Sequence, residues 1–157
     1  MSIAASFARL FFSFSGRVGR SGFWLVSLVW FVLVEAFSYW WDQRGFIAAA
    51  AYDHALVNAA LVVGSLPAIV SAVAVSVRRL HDRNKSAWWL IPMGVVPPVL
   101  QAVGSLNSLD SALAVTLMVV SLALSLWALV ELGFMPGTTG PNRFGLDPRL
   151  DIGADAG

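Results

Sequence analysis

Four stretches of the chain are almost free of charge: 22–41 carries only Glu35, 55–77 and 87–103 carry none, and 112–134 carries only Glu131. They are 20, 23, 17 and 23 residues long. An α-helix rises about 1.5 Å per residue, so roughly 20 apolar residues cross a hydrocarbon core about 30 Å thick. Lipid offers no hydrogen-bond partner to a backbone amide, so spanning segments of this kind are helical. The composition agrees, with 58% hydrophobic and 12% charged residues, against roughly 45–50% and about 25% in a soluble domain. Disorder is excluded by the same figures. The expectation is an all-α integral membrane protein with four transmembrane helices. Residues 1–21 form an amphipathic segment, 22–134 the transmembrane domain, and 135–157 a Gly/Pro-rich tail.

The third stretch is the shortest and carries Pro92, Gly94 and the pair Pro97-Pro98. Prolines remove backbone donors and kink a helix, so either a broken crossing or a re-entrant hairpin fits here. Loop charge decides between them. Lys and Arg number three before the first span (Arg9, Arg17, Arg20), one after it (Arg44), four in 78–86 (Arg78, Arg79, Arg83, Lys85), none before the fourth span, and two after it (Arg143, Arg149). Under the positive-inside rule this alternation puts the amino terminus, the 78–86 loop and the carboxyl terminus in the cytoplasm. Trp24 and Trp88-Trp89 then fall at the inner interface and Tyr39, Trp40 and Trp41 at the outer one, where amphipathic rings settle, whereas Trp30 and Trp127 lie inside their spans. Ala48-Ala49-Ala50 loosely mimics a signal-peptide cleavage site. The stretch before it exceeds the usual 7–15 apolar residues of such a peptide, so the first span reads as an anchor.

Ahead of that span, Phe7, Leu10, Phe11 and Phe14 recur at the spacing of one helical face, with Ser6, Arg9 and Ser13 between them. This fits a short helix lying in the inner interface or a fraying extension of the first span. A net charge of only +1 gives no basis for a nucleic-acid partner. Without cysteine there is no disulfide framework or thiolate site, and neither histidine falls at a metal-ligand spacing. No cofactor is implied.

Three polar segments face the predicted cytoplasmic side: FSFSGRVGRSGFW, VRRLHDRNKSAWW and PGTTGPNRFGLDP. In order and spacing they resemble the three signature segments of the bacterial inner-membrane domain-of-unknown-function 805 family. The family pattern falls on Phe14, Gly16, Arg17, Arg20, Phe23 and Trp24. It continues on Arg78, Arg79, Leu80, His81, Asp82, Ser86, Trp88 and Trp89. In the last segment it falls on Pro136, Gly137, Thr138, Gly140, Asn142, Arg143, Phe144, Gly145, Asp147 and Pro148. Thr139 and Leu146 stand where members often carry proline, which implies a less rigid turn. What the resemblance implies is a small multi-pass protein of the bacterial inner (plasma) membrane, with no reaction attached.

The residues themselves suggest a chemistry. Bundled helices would crowd Arg17, Arg20, Arg78, Arg79 and Lys85 together, with Asp82, Glu131 and Asp147 as the nearby anions. Glu131, twentieth in a span entered from outside, belongs at the inner boundary, paired with an arginine of another segment. The plainer view is that the arginines set topology and snorkel to bulk lipid phosphates. The sharper one is a shaped anion site, since guanidinium groups bind phosphate in a bidentate way and Gly-rich loops present backbone N–H groups. The candidate ligand-binding residues are Arg17, Arg20, Arg78, Arg79, His81, Asp82, Lys85, Asn142 and Arg143, with no catalytic or metal residues. Adjacent residues such as His81 and Asp82 diverge by about 100° on a helix, so a hydrolytic relay is disfavoured. Six of the thirteen residues 136–148 are Gly or Pro, so the tail should fold back over the helix ends.

Three function classes fit. One is a non-catalytic protein that binds an anionic lipid headgroup or another phosphate-bearing ligand at the cytoplasmic face. Another is an oligomeric transporter or channel using Glu35 and the Pro-broken span, and the third a lipid-modifying enzyme. The partners implied are anionic membrane lipids and, through the small-residue stripe Gly64, Ser65, Ala68, Ser71 and Ala72, a second copy or another membrane protein.

Overall fold

The computed structural model describes residues 3–43, 54–106 and 111–149. Helices α1 (Ile3–Phe12), α2 (Arg20–Gln43) and α3 (His54–Asp82) come first. A 3₁₀ turn (Ala87–Trp89) and a π-helical turn (Ile91–Val95) lead into α4 (Val96–Ser105). Finally α5 (Ala112–Leu129) ends in a second π-helical turn (Val130–Phe134). Four segments, Arg20–Tyr39, Val62–Asp82, Ala87–Ser105 and Ala112–Phe134, are long and apolar enough to cross a membrane. Among the described residues the one isolated β pairing joins Asn142 and Gly145. Arg44, Ala48–Ala50, the side chains of Trp40 and Trp41, and residues 150–157 lie outside the described part.

Helix α3 runs five residues past the 55–77 span read from the sequence, so Arg78 and Arg79 are helical and not part of a loop. Its end is a Schellman closure. Asn84 takes a left-handed conformation (φ 57°), its N–H donates to the His81 carbonyl (2.9 Å), and the Lys85 N–H reaches back to the Leu80 carbonyl (2.8 Å). These bonds satisfy carbonyls that a helix end leaves without intrahelical donors.

The third span is a broken helix. Pro97 and Pro98 cannot donate to the preceding turn, and the backbone there widens into the π-helical turn before α4 begins. Buried Ser121 of α5 donates to the Pro97 carbonyl (2.9 Å). Gly104 of α4 is buried beside the Ala114 carbonyl, and α4 and α5 form the most extensive helix pair. Ser111 caps α5 by accepting from the Ala114 N–H (3.1 Å).

The buried side chains gather near one end of the bundle, in one cluster of Phe11, Val18, Val26 and Val75 and another of Leu80, Met93 and Leu132. Along the rest of the spans, apolar side chains such as Phe31, Val63, Val119 and Leu122 stay exposed. Such a surface suits lipid, which is itself apolar. Of the small-residue stripe on α3, Ser71 is fully buried while Gly64, Ser65 and Ala72 are exposed. Helix α1 lies against α3 and α2. Phe11 stacks on Phe7 (4.9 Å between ring centroids) and meets Trp30 edge-on (6.5 Å).

Gly133, in the turn after α5, lets the Trp24 indole lie on the backbone. Its carbonyl accepts from Trp24 Nε1 (3.0 Å), and a Cβ there would sit 2.7 Å from the ring. Gly133→Ala should therefore destabilise the protein by about 1–3 kcal/mol, as overpacking of a close contact does. Chemical denaturation in detergent, followed by tryptophan fluorescence, measures this.

Candidate functional site

Asp82 closes α3 at the helix end where a negative charge is disfavoured by the macrodipole, and its carboxylate is 5% exposed. Two arginines compensate. Arg79, one turn earlier and fully buried, donates to Oδ2, and Arg17, just ahead of α2, donates from Nε to Oδ1 (3.1 Å). Arg79 also donates from Nε to the Leu132 carbonyl (2.7 Å) and from its terminal nitrogen to the Met135 carbonyl, closing the end of the last span. Arg17 donates to the carbonyls of Thr138 (2.5 Å) and Gly140 (2.6 Å). One carboxylate thereby ties together the entry to α2, the end of α3, the end of the last span and the tail.

The tail from Pro136 to Arg149 is a strap across this end. The Thr138 N–H and hydroxyl both donate to the Asp82 carbonyl (2.8 and 2.9 Å). Asn142 Nδ2 donates to the His81 carbonyl (2.9 Å) and Asn142 Oδ1 accepts from the Phe144 N–H (2.9 Å). The His81 ring lies flat on Phe144 (3.9 Å between centroids) and turns Nδ1 toward the Gly16 carbonyl (3.3 Å). A carbonyl can only accept, so Nδ1 carries the proton. His81 and Asp82 serve different partners. Gly137 brings the strap tight against the bundle: a Cβ would fall 2.0 Å from Asp82 Oδ2.

Glu131, buried in the π-helical turn, sits at the same end. Its Oε1 lies 2.6 Å from Arg83 Nε and 2.5 Å from Lys85 Nζ, which is the expected pairing with an arginine of another segment. Lys85 also lies over the Trp89 ring (4.9 Å). Arg20 reaches the Phe134 carbonyl (3.4 Å) and Arg143 the Asn84 carbonyl (3.1 Å), both from exposed positions.

All nine candidate residues are thus brought to one end, in different roles. Arg17, Arg79, Asp82 and Asn142 are bonded into the protein itself, Arg20 and Arg143 stay exposed, and Lys85 shares a carboxylate. Arg78 is 5% exposed. It donates from a terminal nitrogen to the Leu10 carbonyl at the end of α1, while its buried Nε has no acceptor among the described residues. It lines a cleft of about 530 Å³ that also takes in Arg9, Ser13, Ser15, Gly16 and Leu146. Sequence reasoning missed Arg9, Ser13 and Ser15 as site residues. Their one signal was their place on or just after the polar side of the Phe7–Phe14 pattern.

This end, closed by a buried ion triad and a strap, defines the class: an all-helical protein with four membrane-capable helices whose connecting segments lock together at one end. The chain belongs to the family described as "Protein of unknown function (DUF805)", whose profile matches residues 11–146 and so includes the first two polar motifs whole and the third as far as Leu146. It is 34% identical over 137 residues to the "Uncharacterized protein YiiR" of Escherichia coli (strain K12), across 87% of this chain and 86% of that one. The same figures hold for the YiiR of Escherichia coli O157:H7. No solved structure matches the chain.

Removing one partner of a buried ion pair leaves an uncompensated charge, at a cost of about 3–5 kcal/mol. Asp82→Asn should therefore destabilise the fold on that scale, and Gly137→Ala should lift the strap and leave the spans intact. Limited proteolysis, with mass spectrometry of the cleaved tail, reads the second effect as faster cutting within 136–149.

Within the strap, Asp147 accepts from the Arg149 side chain (2.9 and 2.7 Å), the Arg149 N–H (3.1 Å) and the Gly140 N–H (3.0 Å). The Arg149 side-chain bonds, followed by the backbone bonds, hold the Asp147 carboxyl well below the usual carboxylate range, and the same pairing raises Arg149. A depressed folded-state value means that the contribution is fully present above the ordinary aspartate value of about 3.9 and is lost only as pH falls through the lower one. Protection of the Gly140 amide in hydrogen exchange should survive at about pH 4 and disappear on stronger acidification. Asp147→Asn should remove that acid dependence.

Proposed function

We propose that the protein is a multi-pass component of the bacterial inner (plasma) membrane, with its strapped end and both termini in the cytoplasm. There it binds anionic lipid headgroups without catalysing a reaction. The carrying observation is the charge balance of that end. Arg9, Arg17, Arg20, Arg78, Arg79, Arg83, Lys85, Arg143 and Arg149 lie in the segments that meet there, against Asp82, Glu131 and Asp147 among the described residues. Among the described residues, nine cations against three carboxylates leave an excess of six positive charges beside an apolar, lipid-suited surface, and the tail's Asp151 and Asp155 lower it to no less than four. Anionic lipid supplies the missing counter-charge where both surfaces meet, at about 1 kcal/mol per exposed Lys or Arg.

Nine of the chain's ten basic residues fall in these segments, which supports the cytoplasmic orientation under the positive-inside rule. Exposed Trp24 and Trp88 at the span ends support an interfacial level there. Glu35, exposed on α2, keeps transport as the second reading. Binding is favoured because the triad and the strap close the helix ends against one another.

Native mass spectrometry of the full chain with equal amounts of phosphatidylglycerol and phosphatidylcholine tests the proposal. Phosphatidylglycerol should remain bound at collision energies that strip phosphatidylcholine. Equal retention of the two lipids would reject lipid selectivity.

A further inference from the structure

The cleft between the end of α1, α3 and the strap is lined by two arginines, Arg78 and Arg9, that no carboxylate among the described residues neutralises, and the first of them is buried. Arg78 is buried, and its Nε has no acceptor among the described residues. Arg78 lines the cleft and pairs with no carboxylate among the described residues, so its charge is left for an anion from outside the chain. Arg9 lines the same cleft and pairs with no carboxylate among the described residues. Ser13 and Ser15 line it as well, with their hydroxyls 3.2 Å apart and Ser13 Oγ 3.3 Å from the Ser15 carbonyl. Arg17 reaches the wall of the cleft, but its guanidinium is bound to Asp82 and the strap carbonyls.

None of the described residues that line the cleft is acidic. The nearby Asp147 carboxylate is bound to Arg149 and to the Gly140 N–H. A bound phosphate would therefore meet two guanidinium groups, while an ammonium group attached to it would find no anion. The apolar surroundings favour a lipid over a free phosphate. Leu146, 67% exposed, lines the opening, and the exposed rings of Phe12 and Phe14 lie in the segment that forms one wall. The volume of about 530 Å³ is within the usual range for small-ligand sites.

We infer that this cleft is a specific site for a phospholipid whose phosphate carries a hydroxylated, amine-free headgroup, with Arg78 and Arg9 as the phosphate-binding residues. The inference rests on the proposed lipid binding and places it at one site with one headgroup chemistry. Arg78 has a second task, holding the Leu10 carbonyl at the end of α1. Arg9, exposed on α1, is the cleaner probe.

The experiment is a native mass-spectrometry titration of the full chain with phosphatidylglycerol, phosphatidylethanolamine and inorganic phosphate, each alone and in competition. It compares the natural sequence with Arg9→Gln, Ser15→Asp and Asn84→Asp. Ser15 and Asn84 are both exposed, and only Ser15 lines the cleft, so these two variants change net charge equally. Arg9→Gln and Ser15→Asp should weaken phosphatidylglycerol binding at least about tenfold, the scale of one charge-assisted hydrogen bond. Ser15→Asp should also raise relative binding of phosphatidylethanolamine, by giving its ammonium group an anion. Asn84→Asp should change phosphatidylglycerol binding less than about threefold, the weak effect of a distant surface charge in salt. If Asn84→Asp matched Ser15→Asp, or if Arg9→Gln bound as the natural sequence does, the cleft would be overturned while general anionic-lipid binding stood. Displacement of phosphatidylglycerol by millimolar inorganic phosphate would overturn the lipid assignment of the cleft. No preference for phosphatidylglycerol in the natural sequence would overturn both readings.

Discussion

Everything at the polar end depends on the Asp82 carboxylate held between the guanidinium groups of Arg17 and Arg79. Three charges removed from water are costly, and their mutual attraction offsets that cost only when the remaining hydrogen-bonding groups also find partners. The carbonyls that do so come from the end of the last span and from the strap. The start of α2, the end of α3, the end of the last span and the tail must be in place together for any of the three charges to be satisfied. Apolar helices in lipid have no hydrophobic reason to choose one register over another. The triad supplies that choice.

This division of labour accounts for where the core lies. Buried side chains concentrate near the triad, while the middle of the spans leaves aromatic and aliphatic side chains to the surroundings. Elsewhere the packing uses small devices suited to lipid: Ser121 on the Pro97 carbonyl, Gly104 against α5, and Trp24 on Gly133. The same order of construction generates the cleft. Arg78 anchors the end of α1 through the Leu10 carbonyl, the strap is fixed from the other side by Arg17, and the space between them keeps two arginines with unmet capacity for an anion.

Much of this was legible in the sequence, because a bilayer imposes simple rules. The absence of charge located the four spans. The position of Glu131 placed it at a span end, in need of a cation, and the structure supplies Arg83 and Lys85. The Gly- and Pro-rich composition of 136–148 announced a folded-back tail. The inward turn of Arg17 and Arg79 was not legible, since an arginine at the edge of a span carries the same topological signal whether it meets lipid phosphate or a protein carbonyl. Nor was the continuation of α3 to Asp82, which depends on a capping closure at Asn84 and on tertiary partners for two arginines. The Arg9–Arg78 cleft exists only once α1 has docked. Nothing in the spacing of Arg9 relates it to a residue on α3.

A double-mutant cycle between Arg17→Gln and Asp82→Asn, measured by reversible denaturation of the full chain in micelles, tests the central position of the triad most directly. Residues that share one buried network couple by about 0.5–3 kcal/mol, whereas independent sites add. The double variant should be more stable than the sum of the single losses implies, because each substitution already breaks the contact that the other would break. Additive losses would mean that Arg17 and Asp82 act separately, and the carboxylate would no longer be what joins the spans to the strap.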